Sequence, residues 1–372
     1  MDYYAPATGL SGTSLKTALE DIIDGHSVLS YTPGVWEAHK DLYEDPDNPA
    51  NLILFYSQAS ISKALQDSGS SPGTYFNREH LWPRSYGVFR SGADNTDLFH
   101  LVPVYKGVNS DRGNQYFDYS DPDASGYADP ANSLAPECTE DSNSWEPADA
   151  QKGWVARAML YMTTRYNYLE LVDTPPSQAP ATDDPRMAQL SVMLEWNRKF
   201  LPSAKETDVC QRIFDDYQGN RNPYIDFPEF ADLVWVTGPS WGGWRMEHFS
   251  LQELTDELVS SDLADPDDDG LNNLMEMARY SDPRTPETEA ILEFIEDSGS
   301  LVIRFNRASD ASNLNLELIL EESDNLIEWS TVDIAGATTT TLDSNRETVQ
   351  VAVSIGSQDP RFFRLRANRP AL

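Results

Sequence analysis

The spacing of apolar residues changes character near residue 260, and this change constrains the fold more than any other feature of the chain. Before it, apolar side chains recur every three to four positions: Leu15, Leu19, Ile22 and Ile23 in SLKTALEDIID, then Val155, Met159, Met162 and Tyr166 within 151–170. That spacing lines one face of an α-helix. More helical text starts near Met187 and runs through Trp196, covers about 206–218, and returns as LQELTDELV. After residue 260 the text alternates as strands do, in LVIRF, LELIL, EWSTVDIA, VQVAVSI and RFFRLRA, separated by Gly, Asn, Asp and Ser. A helical period and a strand period demand different packing partners, so at least two domains are expected. We expect an α+β protein with a mostly helical domain over residues 1–259, an acidic linker over 260–288 and a small all-β, sandwich-like domain over 289–372. Within the first domain, LILFY (52–56) reads as a short buried strand. The Asp-, Ser-, Pro- and Gly-rich stretch 116–150 reads as a long surface loop.

Charge narrows the partners. Sixty-one acidic residues against 27 basic ones give −34, which is the wrong sign for a polyanionic partner if overall charge decided binding. The acidity lifts in one window: over 76–115, Arg78, Arg84, Arg90, Lys106 and Arg112 face only Glu79, Asp94, Asp97 and Asp111. No apolar run approaches the roughly 20 residues of a membrane span, and two cysteines, Cys138 and Cys210, are too few for a disulfide-built scaffold.

The same window carries the chemistry. Tyr75-Phe-Asn-Arg-Glu-His-Leu-Trp-Pro-Arg-Ser85 is followed by DLFHLVPVYKGVNSDRGNQYF. Hydrolysis of a phosphodiester needs a base for water, a cation for the phosphate and leaving oxygen, and a further positive group for developing charge. His80 suits the first role, because imidazole titrates near neutrality. Glu79 is a hard oxygen ligand suited to Mg²⁺.

The ordered set NREHLWPRS, D-L-x-H-L-x-P and V-N-S-D-R-G-N resembles the endonuclease I family, whose catalytic unit is the ββα-metal or His-Me finger. YYAPATGLSGTSLKTALEDIIDGH, EPADAQKGWVARAMLYM and QGNRNPYIDFPE are also similar to that family, so the resemblance covers residues 3–240. It implies His80 as general base and Glu79 as a metal ligand. Asn109 is the best match to the second ligand, with Asn114 as the competing choice. Arg112, one helical turn beyond Asn109, is expected to hold the scissile phosphate. Arg78, Arg84 and Arg221 are candidate substrate contacts, and His100 is expected to brace the finger rather than bind metal. The implied cofactor is Mg²⁺, with Mn²⁺ or Ca²⁺ as alternatives. The implied substrate is DNA together with RNA, cleaved to 5′-phosphate ends by a monomer. Where the family usually carries charged residues this chain has Val209-Cys210, which suggests a disulfide between Cys138 and Cys210. The chain opens Met-Asp-Tyr-Tyr without charged and apolar leader regions, so it is either cytosolic or has had a signal peptide removed; the other features of the chain favour removal, and the expectation is a secreted protein.

Asp265-Pro-Asp267-Asp-Asp269-Gly270-Leu-Asn-Asn-Leu-Met-Glu276 fits the D-x-D-x-D-G-x₅-E calcium loop. It resembles the thrombospondin type 3 or dockerin-like linkers of secreted bacterial proteins, which implies Ca²⁺ on Asp265, Asp267, Asp269 and Glu276. Two competing readings are an adhesion or matrix protein that keeps the finger only as a fold, and a nuclease that prefers RNA.

Overall fold

The computed structural model describes residues 2–174, 184–187, 189–238, 240–288, 290–297, 300–309, 316–354 and 361–368. The chain is mixed α and β and divides into two compact units, Asp2–Val234 and Trp235–Leu372. None of its described helices is long and apolar enough to cross a membrane.

In the first unit the helix Gly12–Ile23 buries Leu15, Leu19 and Ile23 completely, as their four-residue spacing requires. The helix Asp149–Arg165 differs from its expected single apolar stripe, because it is buried from Gln151 through Thr164 except at Trp154. It can be wrapped this way because its polar groups find partners inside. Arg157 sits 1% exposed and grips Glu206 with two bonds, Nε to Oε1 at 2.7 Å and Nη2 to Oε2 at 2.6 Å. Gly153 lets the neighbouring chain come close, since a Cβ there would lie 2.0 Å from the Phe200 carbonyl oxygen.

Around these helices lie short sheets. One joins Asn48–Ile53 to Ser60–Ser62 and Glu44–Asp45, so the expected strand at 52–56 begins and ends earlier. The stretch 116–150 is not a plain surface loop. It holds a three-stranded sheet of Tyr116–Phe117, Ser144–Glu146 and Thr139–Glu140, and it buries Ala135, Cys138 and Trp145 completely. The third sheet is an antiparallel pair, Phe76–His80 with Leu101–Tyr105, which runs directly into the helix Lys106–Arg112.

The second unit begins ahead of the periodicity change, which corrects the expected boundary at 259/260. Trp241, Trp244 and Phe249 are buried in one core with Met277, Ala278, Ile303, Phe305, Leu318, Leu320, Val349 and Val351. The helix Trp241–His248 therefore belongs with the strands, although its sequence reads like the helices before it. The stretch 260–288 is likewise no freestanding linker, because the helix Asn273–Arg279 supplies Met277 and Ala278 to that core. Two antiparallel sheets complete the unit. One orders Glu293–Asp297, Ser300–Ala308, Arg346–Val353 and Thr338–Thr341; the other orders Ser330–Thr331, Glu317–Ser323 and Phe362–Asn368. Ile303 faces Val351 and Phe305 faces Val349 across the strands, as alternating text requires.

Candidate active site

A cleft of about 340 Å³ opens over the antiparallel pair and is lined by Tyr31, Asn77, Arg78, Glu79, His80, Pro83, Arg84, Ser85, Asn109, Gly113 and Asn114. One acid and two arginines line it, which is a local reversal of the chain's charge. Both histidine and glutamate come from the end of Phe76–His80, where Glu79 pairs with Val102 and His80 with Leu101. Asn109 comes from the helix and Asn114 from the turn after it. Asn109 Nδ2 donates to the Arg78 carbonyl at 3.2 Å, and its Oδ1 accepts no hydrogen bond from the described residues. Asn114 Nδ2 contacts Ser85 Oγ at 3.4 Å.

His80 is held in one tautomer. Its Nε2 lies 3.1 Å from the carbonyl oxygen of Asn95, which only accepts, so Nε2 carries the proton and Nδ1 keeps the lone pair. Burial, with the nearby His100 and Arg84, holds the imidazole well below the usual histidine range, and it is neutral at pH 7. The Tyr31 ring stacks on it at 5.9 Å. His100 is fully buried and lies 2.6 Å from the Asp94 carbonyl oxygen through Nε2, away from the cleft lining.

Glu79 is 2% exposed, and burial raises its carboxyl to about 7 against the pull of Arg112 and the Tyr56 hydroxyl. Oε1 accepts from Tyr56 Oη at 3.3 Å and from Arg112 Nη1 at 3.2 Å, whereas Oε2 accepts nothing from the described residues. Arg112 departs from the phosphate contact expected of it. Its guanidinium is wholly buried over the Phe117 ring, and its terminal nitrogens donate to Glu79, to the His80 carbonyl at 3.1 Å and to the Leu81 carbonyl at 2.9 Å. A group so enclosed cannot reach a substrate; it braces the Glu79-His80-Leu81 backbone and offsets the Glu79 charge.

The other arginines separate. Arg84 donates Nε to Asn95 Oδ1 at 2.8 Å and stacks on Tyr31 at 4.6 Å, and its terminal nitrogens have no acceptor among the described residues. Arg78 is sandwiched between Tyr31 at 3.5 Å and Trp36 at 4.1 Å and bonds the Tyr31 carbonyl and Thr32. Arg221 is absent from the cleft lining. It forms a two-point bridge to Asp226, with both bonds at 2.7 Å, and bonds Gln211, so its fork is spent on holding structure. The suggested disulfide is absent as well: Cys138 and Cys210 are separate buried thiols, one beside Ala148 and the other in the helix Ala204–Arg212.

Three site residues escaped sequence reading. Asn95 anchors both His80 and Arg84, Tyr31 stacks on both, and Tyr56 bonds Glu79; each is remote in sequence from its partner, and no local pattern marks such pairs. In the second unit, Asp265, Asp267 and Asp269 gather carboxylate oxygens within 4.8 Å of one another. Glu276 does not join them. It is fully buried, takes a hydrogen bond from Ser281 Oγ, and is raised to about 7 by burial.

A neutral histidine beside a buried carboxylate, in an arginine-lined cleft on an acidic chain, is the equipment of an enzyme that hydrolyses phosphodiesters. The chain belongs to the Endonuclease I family, whose profile matches residues 11–229, and it is a nuclease. It is similar to an extracellular ribonuclease of Bacillus amyloliquefaciens, 45% identical over 240 residues. A second extracellular ribonuclease, from Bacillus subtilis (strain 168), is 42% identical over 240 residues. Each alignment covers 63% of this chain and 78% of the relative. Members of the family generally depend on a metal ion.

Proposed function

We propose that the protein is a secreted, metal-dependent, sugar-nonspecific endonuclease, with His80 as general base in a ββα-metal finger formed by Phe76–His80, Leu101–Tyr105 and Lys106–Arg112. The carrying observation is the His80 tautomer: Nε2 faces the Asn95 carbonyl and Nδ1 retains its lone pair. The relatives' names support secretion and action on RNA, and a cleft that offers charges and amides to a backbone phosphate supports action on DNA too, since phosphate contacts carry no base information.

The residues fit a metal ion. Glu79 is a buried carboxylate with one free oxygen and a carboxyl raised to about 7, a mismatch that a bound cation would relieve. Its partner is Asn109, whose oxygen end is free, with Asn114 as the alternative from the same cleft wall. This all-oxygen, single-carboxylate set suits Mg²⁺, and Mn²⁺ or Ca²⁺ by the same logic. A cation held there supplies fixed positive charge for the phosphate and for the leaving 3′ oxygen. His80 Nδ1 takes a proton from water; the water oxygen bonds to phosphorus as the P–O3′ bond breaks. The products are a 5′-phosphate and a 3′-hydroxyl, the latter protonated by solvent. Arg84 contacts a phosphate oxygen through its unengaged nitrogens, and Tyr31 holds Arg84 and Arg78 at the cleft wall.

In the second unit we propose Ca²⁺ on Asp265, Asp267 and Asp269, supported by their convergence around the turn at Gly270. Parallel digestion of RNA and duplex DNA, with and without chelator, tests the reading. Metal-dependent cleavage of both is expected. Cleavage of RNA alone would favour the RNA-preferring reading, for which the relatives' names speak, and no cleavage of either would overturn the proposal.

A further inference from the structure

Phe89 and Tyr168 are the exposed large aromatic residues among the described residues of Asp2–Val234, at 57% and 41% exposure. Their rings lie 5.4 Å apart at a 50° tilt, and Tyr166 backs Tyr168 at 6.0 Å. Adjacent exposed rings offer flat faces on which another ring can stack. We propose that this pair is a stacking platform for the bases of single-stranded nucleic acid, an inference that rests on the nuclease reading above.

Three observations carry it. The first is a tether to the site. Asp94 is fully buried, and its Oδ2 accepts both the Phe89 backbone N–H at 2.7 Å and the Tyr168 hydroxyl at 3.0 Å, which ties the Phe89 backbone and the Tyr168 side chain to one carboxylate. The next residue is Asn95, whose carbonyl holds His80 and whose side chain holds Arg84. One short turn therefore positions the platform, the proposed base and the proposed phosphate contact together. The second is the glycine that lets this turn close: a Cβ on Gly92 would lie 2.1 Å from Asp94 Oδ1.

The third is charge. Residues 80–93 hold Arg84 and Arg90 and no acid, in a chain of net charge −34. A polyanionic strand leaving the cleft would meet arginines along this loop and aromatic faces beside them. That is how sequence-tolerant single-strand sites are built, and every base offers a face to stack. Paired bases in a duplex already cover those faces, so the platform selects unpaired strands.

The test is fluorescence anisotropy of labelled U₁₀ RNA, dT₁₀ and a decamer duplex in chelator, where binding is read without cleavage and does not depend on the hydrolytic reading. Base stacking is worth about 1–3 kcal/mol per base, so Phe89→Ala and Tyr168→Ala are each expected to weaken both single strands roughly 5- to 150-fold. Phe89→Trp is expected to retain binding, with its fluorescence quenched by either strand. Single-strand affinity within twofold of the parent in a folded Phe89→Ala protein would overturn the platform. An equal loss on the duplex would overturn it too, as would a loss confined to RNA, which would assign the contact to the 2′-hydroxyl. If Phe89→Ala fails to fold, an unquenched Phe89→Trp protein overturns it alone.

Discussion

Glu79 and Glu276 invite comparison, because each is the buried glutamate of a motif legible in the sequence, and burial raises each to about 7. Their surroundings differ in what can reach them. Glu79 lines an open cleft, has Arg112 as a charge partner and keeps one oxygen free. Glu276 is fully buried, lines no such cleft, accepts from Ser281 Oγ through Oε2, and lies outside the group formed by the three aspartates, although its Oε1 is also without a hydrogen-bond partner among the described residues and Asp269 is near enough to act on its charge. The difference teaches that a carboxylate becomes a ligand through what shares its wall. Spacing alone brings three acids together in the second unit, yet it leaves the fourth in the core.

Four experiments break or sharpen this contrast, in order of effect. Removal of the proposed base by His80→Ala is expected to lower the cleavage rate by about 10²–10⁴-fold at saturating metal; a parental rate would deny the Glu79 cleft its role. Arg112→Ala leaves Glu79 buried without its cation and should destabilise the protein by about 3–5 kcal/mol in denaturant titrations. An unchanged unfolding midpoint would mean that the pair does not set the character of Glu79. In the second unit, Ca²⁺ at about 100 times its Kd should add about 2.7 kcal/mol to unfolding, and Asp267→Asn should reduce that gain. Identical calorimetric traces with Ca²⁺ and with chelator would leave the aspartate cluster a solvated turn.

The smallest effect is on pH. Metal capture by Glu79 displaces a proton below about 7, so the half-saturating metal concentration should rise up to tenfold for each unit the pH falls beneath that value. The sign reverses for metal-free stability. Between the ordinary glutamate value and about 7 the folded chain holds a proton that the unfolded chain has released, so this contribution is lost as pH rises through that window. His80 is held well below the usual histidine range by burial and by His100 and Arg84, so its own titration is displaced toward lower pH. A flat metal dependence from pH 8 to 5 would show that Glu79 is not the ligand.

Much of this molecule could be read in advance, and the readable parts share a cause. Leu15, Leu19 and Ile23 lie one helical turn apart, and the strands around Ile303 and Val349 alternate at every residue; such periods act between near neighbours. Glu79 and His80 are adjacent, so one strand delivers both to the cleft. The unit boundary was not readable, because Trp241 and Trp244 sit on an ordinary helix whose core partners extend from Met277 to Val353, far along the chain. Arg112 and Arg221 misled for the same reason. An arginine at helical spacing looks equally ready for phosphate or for Glu79, and only the packing of Phe117, Leu81 and Asp226 decides.

What the sequence determined by itself is therefore the inventory: the family, the change from helical to alternating text, the Glu79-His80 pair and the aspartate loop. These follow from order and local spacing, which the chain carries in any conformation. The tertiary structure decided which groups remain available. It bonded Arg112 inward and left Arg84 facing the cleft, aimed Nδ1 of His80 by giving Nε2 to the Asn95 carbonyl, and kept Cys138 apart from Cys210. Availability depends on what desolvates or satisfies a polar group, and those neighbours come from distant parts of the chain.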